Sequence, residues 1–192
     1  MILDALQEAL SKLDWSFVTP SSVNYSEAAS AESAVQTWQE RMFAYELYHQ
    51  LRLLWTERPP LRAHCVIHAE VRKGYQHKPS FDYMPDFLFH LPQPGKNRAV
   101  VEVKLANRPL PKIATDLNKL VDFHDVFKYD DLIEILVGSD YDFDLIIPKL
   151  SSSTGTPIHL LCLSTDTRQT THKIIKYHNP DKLPEPTAVG VS

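Results

Sequence analysis

The sequence predicts an α/β fold in which a central mixed β-sheet is flanked by helices. The chain has 192 residues, and 43% of them are hydrophobic, which suits one domain with a substantial core. Helical and strand-like segments follow each other along the sequence. A helical pattern comes first, then three strand-like segments, a second helical pattern and further strand-like segments. That order is typical of a mixed sheet covered by helices.

The first part of the chain predicts two helices and then three strands. A short amphipathic helix is expected over residues 2–13, and the Ser-, Asn- and Ala-rich stretch 19–33 is expected to be a loop. A long helix follows and ends near Trp55, before two consecutive prolines. Strand-like segments then cover residues 64–71, 83–91 and 98–105.

The second part predicts another helix and more strands. The helix is expected over residues 112–127, because Ile113, Leu117 and Leu120 recur at helical spacing. Residues 143–150 fit either a helix or a strand. Strands are expected over residues 132–137, 158–164 and, at an edge of the sheet, 174–177.

The domain organisation is expected to be simple. Residues 1–178 should form one domain with its core within 32–165, and the Pro-rich residues 179–192 should form a flexible tail. The N-terminus carries acids where a secretory signal needs a basic start, and no run approaches 18 apolar residues. We therefore expect a soluble, cytoplasmic protein that does not enter a membrane.

Composition excludes further classes of protein. The chain has 20 Lys plus Arg against 24 Asp plus Glu, and this net charge of -4 argues against a coat protein that wraps nucleic acid by bulk charge. Cys65 and Cys162 have no CxxC spacing, so they are expected to be buried free thiols. The sequence also lacks the Gly-rich and GxSxG motifs of nucleotide-binding proteins and serine hydrolases.

Basic and acidic residues are separated along the sequence. Residues 92–119 contain six basic residues and two acids, whereas residues 120–146 contain eight acids and one lysine. Faces of opposite sign would allow an acidic protein to attract a phosphate chain at one place. Ordinary solvated surface charge explains the same pattern equally well.

The most informative segment is a predicted hairpin formed by residues 84–91 and 98–105. If the hairpin is centred on Pro94, facing positions sum to 188, and Asp86 lies opposite Glu102. Directly opposed carboxylates repel each other, so a fold without a ligand would avoid this pair. A divalent cation reverses that argument, because two hard carboxylates at this separation can both ligate Mg²⁺.

Strand alternation places a cation beside the two acids. Lys104 lies two residues after Glu102, so its ammonium is expected on the same face of the strand. The other face carries apolar residues on both strands, including Phe87 and Val101, and is expected to be core. That core would fix the register of the hairpin and direct the charged groups to the opposite side.

A third carboxylate is expected from the long helix. Glu40 shares a helical stripe with Phe43, Leu47 and Leu51, whereas Glu46 lies about 120° around the helix. An acid at the mouth of an apolar stripe either meets a cation or has a raised pKa. We therefore prefer Glu40 to Glu46 as the extra ligand, although the helix macrodipole would favour an exposed acid at either position.

The pattern of Pro85-Asp86, fifteen intervening residues and Glu102-Val103-Lys104 resembles the motif of the PD-(D/E)XK nuclease superfamily. Members of this superfamily share the restriction-endonuclease-like fold. Three flanking segments also resemble the family: the helix that carries Glu40 and Arg41, the strand that ends in Ala69-Glu70-Val71, and residues 116–120.

The resemblance implies an α-β-β-β-α-β core and an endonuclease that hydrolyses phosphodiester bonds with Mg²⁺ or Mn²⁺. By the same resemblance, the metal would be held by Asp86, Glu102 and the carbonyl of Val103. Glu40 would hold a second ion or a metal-bound water. Lys104 would orient or deprotonate the attacking water and stabilise the developing negative charge.

Other residues have weaker assignments. Arg108 and Lys119 are expected to contact the nucleic acid, although a solvated helix lysine explains Lys119 more simply. Glu70 is a candidate outer-shell acid, and His90 is the one histidine expected on the face of Asp86. Many enzymes of this fold form dimers, so a homodimer or a larger complex is a further expectation, without an interface signal in the sequence.

We expect a nuclease that acts on DNA rather than RNA, of the kind found in prokaryotic or phage defence. The alternative is a catalytically inactive module of the same fold that binds or assembles within a defence or repair complex. A third option is an acidic protein-interaction domain without any nucleic-acid contact. The complete set of Asp86, Glu102 and Lys104 favours the nuclease.

Overall fold

A computed structural model of the chain describes residues 1–18, 31–70, 83–91 and 96–179, with side chains omitted from the description over 31–39. Most of the predicted loop at 19–33, the turn around Pro94 and all but the first residue of the predicted tail lie outside these residues. The helices are α1 (Ile2–Ser11), α2 (Trp15–Val18), α3 (Ala31–Glu57), α4 (Pro59–His64), α5 (Leu110–Phe127) and α6 (Asp140–Leu150). The strands are β1 (Val66–Ala69), β2 (Phe87–His90), β3 (Asn97–Leu105), β4 (Asp131–Gly138), β5 (Thr156–Ser164) and β6 (Thr170–Tyr177).

The six strands form one mixed sheet in the order β1-β2-β3-β4-β5-β6. Strands β1, β2 and β3 are antiparallel neighbours, β3, β4 and β5 are parallel, and β6 is antiparallel to β5. The parallel steps are made through α5 and α6, as a crossover between parallel strands requires. The predicted α/β fold with a mixed sheet flanked by helices is confirmed.

Several local predictions change. Helices α2 and α4 were not expected, and α4 begins at the two prolines that were expected only to end the preceding helix, because Pro suits a first helical turn. Residues 143–150 lie in helix α6, which starts with a capping box between Ser139 and Asp142. Strand β6 begins at Thr170, earlier than predicted.

Helices cover both faces of the sheet. One core lies between the sheet and α1 and α3, and a second core lies between the sheet and α5 and α6. Alternate residues of one strand therefore enter different cores, as Val101 of β3 packs on the α3 side and Val100 on the α5 side. We call these sides the α3 face and the α5 face.

The register of the predicted hairpin is confirmed over most of its length. Phe87 pairs with Val101, Leu88 with Val100 and Phe89 with Ala99, so the numbers of each pair sum to 188. The register shifts only after Phe89, close to the turn.

Two further sequence expectations concern the whole molecule. Cys65 and Cys162 are buried free cysteines, as predicted, and burial raises the pKa of each thiol to about 11. None of the helices in the described part of the chain combines the length and the apolar character needed to cross a membrane.

Candidate functional site

Strand β3 extends beyond β2 at the end that carries the predicted motif. Phe87 is the first residue of β2 and its Cα partner is Val101, so β2 has no residue beside 102–105. A side chain takes the place of the missing strand, because the backbone N–H of Val103 donates to Asp86 Oδ2 at 2.7 Å. Asp86 therefore lies at the open edge of β3.

Glu40 reaches the same edge from α3. The backbone N–H of Leu105 donates to Glu40 Oε2 at 3.4 Å, and Lys104 Nζ donates to Glu40 Oε1 at 3.0 Å. The apolar stripe beyond Glu40 is buried as predicted, with Phe43 and Leu47 in the core, while Glu40 itself is half-buried.

Glu46, the other helix acid considered, serves a different part of the molecule. It is buried, and its Oε1 accepts from the backbone N–H of Asp14 at 3.1 Å and from Gln50 Nε2 at 2.7 Å. The sequence placed Glu46 on a flank of the helix, but the chain just before α2 packs there and covers it. Of the two acids, only Glu40 lies beside the motif.

Lys104 is held between two carboxylates. Its Nζ lies 3.0 Å from Glu40 Oε1 and 2.8 Å from Asp116 Oδ2. Asp116 also pairs with Lys119, one turn along α5, and Arg108 Nε lies 3.9 Å from Glu40 Oε2. We call these five residues, Glu40, Lys104, Arg108, Asp116 and Lys119, the lysine cluster.

The two lysines of the cluster remain protonated at neutral pH. Burial by itself would lower the pKa of Lys104, but the charges of Asp116 and Glu40 and hydrogen bonding to them outweigh it and raise the pKa above its ordinary value. The pKa of Lys119 is raised in the same way, against burial, by the charge of Glu102 and by Asp116. The acids beside Lys104 thus stabilise its charged form, which suits the electrostatic role predicted for this lysine.

Three other acids lie side by side across the sheet. Glu102 of β3 and Glu134 of β4 are Cα partners in the parallel register, and the pairing of Phe87 with Val101 brings Asp86 to the other side of Glu102. We call Asp86, Glu102 and Glu134 the carboxylate row.

Two members of the row are buried and short of hydrogen-bond partners, whereas Asp86 is half-buried and accepts from Val103. Glu102 is 4% exposed and Glu134 is 0% exposed. Glu102 Oε1 and both carboxylate oxygens of Glu134 lack a hydrogen-bond partner. Within the described residues, no Lys, Arg or His nitrogen forms an ion pair with any member of the row, whereas every acid of the lysine cluster has one.

The electrostatics of the row follow from this burial. Burial raises the pKa of Asp86 to about 6, opposed by the hydrogen bond from Val103 N–H and assisted by the charge of Glu40. Burial, followed by the charge of Asp86, raises the pKa of Glu102 well above its ordinary value. The pKa of Glu134 is raised by burial and then by the charges of Asp116 and Glu102. The charge of Asp86 thus makes ionisation of Glu102 harder, and the charge of Glu102 does the same to Glu134.

The donors of the row suit a hard divalent cation. Asp86 and Glu102 are neighbouring carboxylates, and one oxygen of Glu102 is buried without a partner. The carbonyl of Val103 faces the edge where Asp86 lies, because the N–H and C=O of one strand residue point to the same side. Carboxylate and carbonyl oxygens are the ligands that Mg²⁺ and Mn²⁺ prefer. Over the part of the chain described, no three His, Cys, Asp or Glu side chains converge as a ready-made metal site.

The remaining predicted residues have other contacts. Glu70 lies on the surface with its Oε1 3.8 Å from Arg41 Nε, and it positions the site only through its backbone N–H, which donates to the carbonyl of Asp86 at 3.1 Å. His90 Nε2 lies 2.8 Å from the hydroxyl of buried Tyr129, so this ring is part of the core packing.

Basic residues of segment 92–119 form ion pairs with acids of the same chain, and one of them, Arg98, contacts the acidic segment 120–146. Arg98 pairs with both Asp130 and Asp131, and Arg108 and Lys119 point toward carboxylates of the lysine cluster. The expected nucleic-acid contacts of Arg108 and Lys119 would therefore compete with these internal ion pairs.

Sequence reasoning did not assign a role to Asp116 or Glu134. Asp116 lies three residues after Ile113 on the apolar stripe of α5, which is the same signal that identified Glu40. Glu134 interrupts the otherwise apolar run of strand β4. In both cases a charged residue at a core position was the available signal.

Searches among protein-family models, curated proteins and solved structures return no match to this chain. The resemblance to the PD-(D/E)XK superfamily depends on the motif and its spacing. Two structural observations accompany this motif. The chain has an α/β fold, and Asp86, Glu102 and Lys104 lie close together in it.

Proposed function

We propose that this protein is a divalent-metal-dependent endonuclease of the PD-(D/E)XK type that hydrolyses phosphodiester bonds in DNA. The observation that carries the proposal is the pair of neighbouring carboxylates, Asp86 and Glu102, with a buried unpartnered oxygen on Glu102. An ammonium group, that of Lys104, lies two residues further along the same strand.

The residues of the site have separate roles in this proposal. Asp86, Glu102 and the Val103 carbonyl would hold Mg²⁺ or Mn²⁺, which supplies Lewis-acid polarisation of a phosphoryl oxygen and of water. Lys104 stays protonated and stabilises the negative charge that grows on the phosphoryl group in the transition state. Glu40 and Asp116 fix the position of that ammonium.

The lysine cluster also favours an anionic substrate. Lys104, Arg108 and Lys119 bring three positive charges to one place, and their carboxylate partners keep them ordered before the substrate arrives. A phosphate chain would exchange some of these internal ion pairs for contacts to its own oxygens. DNA is preferred to RNA on the resemblance alone, so both belong in the test.

Cleavage assays with matched variants test the proposal. The purified chain is incubated with plasmid, single-stranded DNA and RNA, in Mg²⁺, in Mn²⁺ or in EDTA. We expect metal-dependent cleavage of DNA, and we expect Glu102→Gln to reduce the cleavage rate by more than about 100-fold. That reduction is larger than the one usually caused by removing a residue that contacts only a ligand of the metal. Glu46→Gln is the matched control, because Glu46 is also a buried glutamate but lies outside the site.

Two outcomes would reject the proposed nuclease activity. Cleavage that survives Glu102→Gln and Lys104→Ala would belong to another site or to a contaminant. Wild-type protein that remains folded, binds Mn²⁺ and cuts none of the three substrates would also reject it.

One observation favours the alternative of an inactive binding module. The ammonium of Lys104 is already held by Glu40 and Asp116, as expected of a lysine that only stabilises the fold. Such a module would bind DNA at low salt and lose that binding steeply as salt rises, without cutting in Mg²⁺ or Mn²⁺. Binding and cleavage measured on the same samples separate the two functions.

A further inference from the structure

Glu134 is the least satisfied buried group in the described part of the molecule. Its side chain has no solvent exposure, and neither carboxylate oxygen has a hydrogen-bond partner. Buried polar groups in folded proteins are almost always paired, and an exception calls for a ligand, a water or an ion that completes it.

Its position points to the metal site. Glu134 is the Cα partner of Glu102, and its charge interacts with those of Glu102, Asp86 and Asp116. The row therefore places one acid on each of three adjacent chain segments, with Asp86 directly before the first residue of β2. As Cα partners in a parallel pair, Glu102 and Glu134 have side chains on the same face of the sheet, and among the described residues no Lys, Arg or His forms an ion pair with Glu134, although the charge of Lys104 acts on it.

The three cations of the lysine cluster pair with acids outside the carboxylate row. Lys104 and Lys119 pair with Asp116, and Lys104 and Arg108 pair with Glu40. Glu40 also accepts from the N–H of Leu105, so both of its oxygens are in use. The resemblance assigns Glu40 to a second metal ion, but both oxygens of Glu40 already have partners within the protein. Neither oxygen of Glu134 has a hydrogen-bond partner, so both remain able to bind a metal ion.

We propose that Glu134, in place of Glu40, is the third acid of the metal site, and that the row binds two divalent cations in pairs. One cation would lie between Asp86 and Glu102, and the other between Glu102 and Glu134. This inference rests on the proposed metal site at Asp86 and Glu102.

Strand spacing explains why the cations bind in pairs. Neighbouring strands are about 4.8 Å apart, so the chain segments of Asp86 and Glu134 are roughly 10 Å apart, too far for both to share one ion easily. Two ions, each between neighbouring strands, would be separated by about one strand spacing, close to the 3.5–4 Å typical of two-metal sites.

Counting bound Mn²⁺ tests the inference without an activity assay. Titration of the metal-free full chain, followed by calorimetry and by electron paramagnetic resonance, should give about two Mn²⁺ per wild-type chain, with spectral coupling between the two ions. Glu134→Gln should reduce this to about one and remove the coupling. Glu40→Gln should keep about two, because its charge belongs to the lysine cluster.

The possible results distinguish this inference from the proposed function. One Mn²⁺ in the wild type, or two in Glu134→Gln, overturns the role of Glu134 and leaves a one-metal nuclease intact. Two coupled Mn²⁺ without any cleavage supports the role of Glu134 and rejects the nuclease. No Mn²⁺ in the wild type rejects both. If Glu134→Gln does not fold, the coupling in the wild-type spectrum still decides, since isolated ions would overturn the pairwise row.

Discussion

The two faces of the sheet are built by alternate residues of the same strands, yet among the described residues of β2, β3 and β4 only the α5 face carries buried charge. On the α3 face, the buried residues of β2, β3 and β4 are all hydrophobic. On the α5 face, Glu102 and Glu134 interrupt the apolar residues of β3 and β4, and Asp116 of α5 lies near them. The α3 face can therefore supply stability at no electrostatic cost, while the α5 face loses stability to buried carboxylates that a ligand could use.

A substitution in the core on the α3 face should cause the largest change in the free energy of unfolding. Phe89 is fully buried and packs against Trp55, with ring centroids 5.9 Å apart. Phe89→Ala should lower the free energy of unfolding by about 3–5 kcal/mol, because a large cavity would remain. Urea unfolding measures this loss. Tyr141→Ala, at a side chain that is 71% exposed, should change it by less than about 0.5 kcal/mol and serves as the control. A loss below about 1 kcal/mol in Phe89→Ala would contradict the assignment of stability to this face.

Replacing a buried acid on the α5 face should change the free energy of unfolding in the opposite direction. Glu134→Leu removes a buried, unpaired carboxyl and fills most of its volume, so it should raise the free energy of unfolding in EDTA by about 1–4 kcal/mol. The same variant should lose part of the stabilisation that Mn²⁺ gives the wild type. Thermal unfolding with and without Mn²⁺ measures both effects. Destabilisation in EDTA would mean that Glu134 has a structural partner and would weaken the comparison.

The sequence predicted the fold where the information is local. The alternation of apolar residues fixed the register of the β2–β3 hairpin, because a slip of one residue would move Phe87 and Phe89 out of the core. The helical stripe of α3 identified Glu40 for the same reason. These predictions need only the period of a helix or strand and the rule that apolar residues are buried.

The composition of the α5 face could not be predicted in this way. Strands β3 and β4 are parallel and are joined through α5, so no tight turn sets their register, and the pairing of Glu102 with Glu134 is visible only in the fold. The contact between Lys104 and Asp116 likewise depends on how α5 lies across the sheet. The stripe of α5 still offered a local warning, since Asp116 occupies an apolar position.

The pH dependence of stability should distinguish the α5 face from the rest of the molecule. Burial raises the pKa of Asp86 to about 6, so between about pH 4 and 6 the folded protein holds more protons than the unfolded chain. Stability in EDTA should therefore fall as pH rises through this window, by at most about 3 kcal/mol from Asp86. Saturating Mn²⁺ should reverse the slope, because the metal binds the ionised carboxylates.

This slope is best measured as a difference between two proteins. The lowered pKa of His159, caused by burial and by the charge of His172, acts in the opposite direction near neutral pH. Subtracting the urea-unfolding profile of Asp86→Asn from that of the wild type removes such contributions. A difference that is flat from pH 4 to 7 would show that Asp86 titrates normally and that the α5 face carries no such electrostatic cost.

The smallest expected effect separates the structural contact of Asp86 from its charge. Asp86→Asn keeps an oxygen that can accept from the N–H of Val103, so stability at pH 4, where the folded protein also holds Asp86 protonated, should change by less than about 1 kcal/mol. Asp86→Ala leaves that N–H at an edge where β2 provides no partner, and it should cost about 1–3 kcal/mol. Both variants should weaken Mn²⁺ binding, because each removes the carboxylate charge. If Asp86→Asn were as unstable as Asp86→Ala, the charge itself would stabilise the fold, and Asp86 would belong with the ion-paired acids of the lysine cluster and not with the carboxylate row.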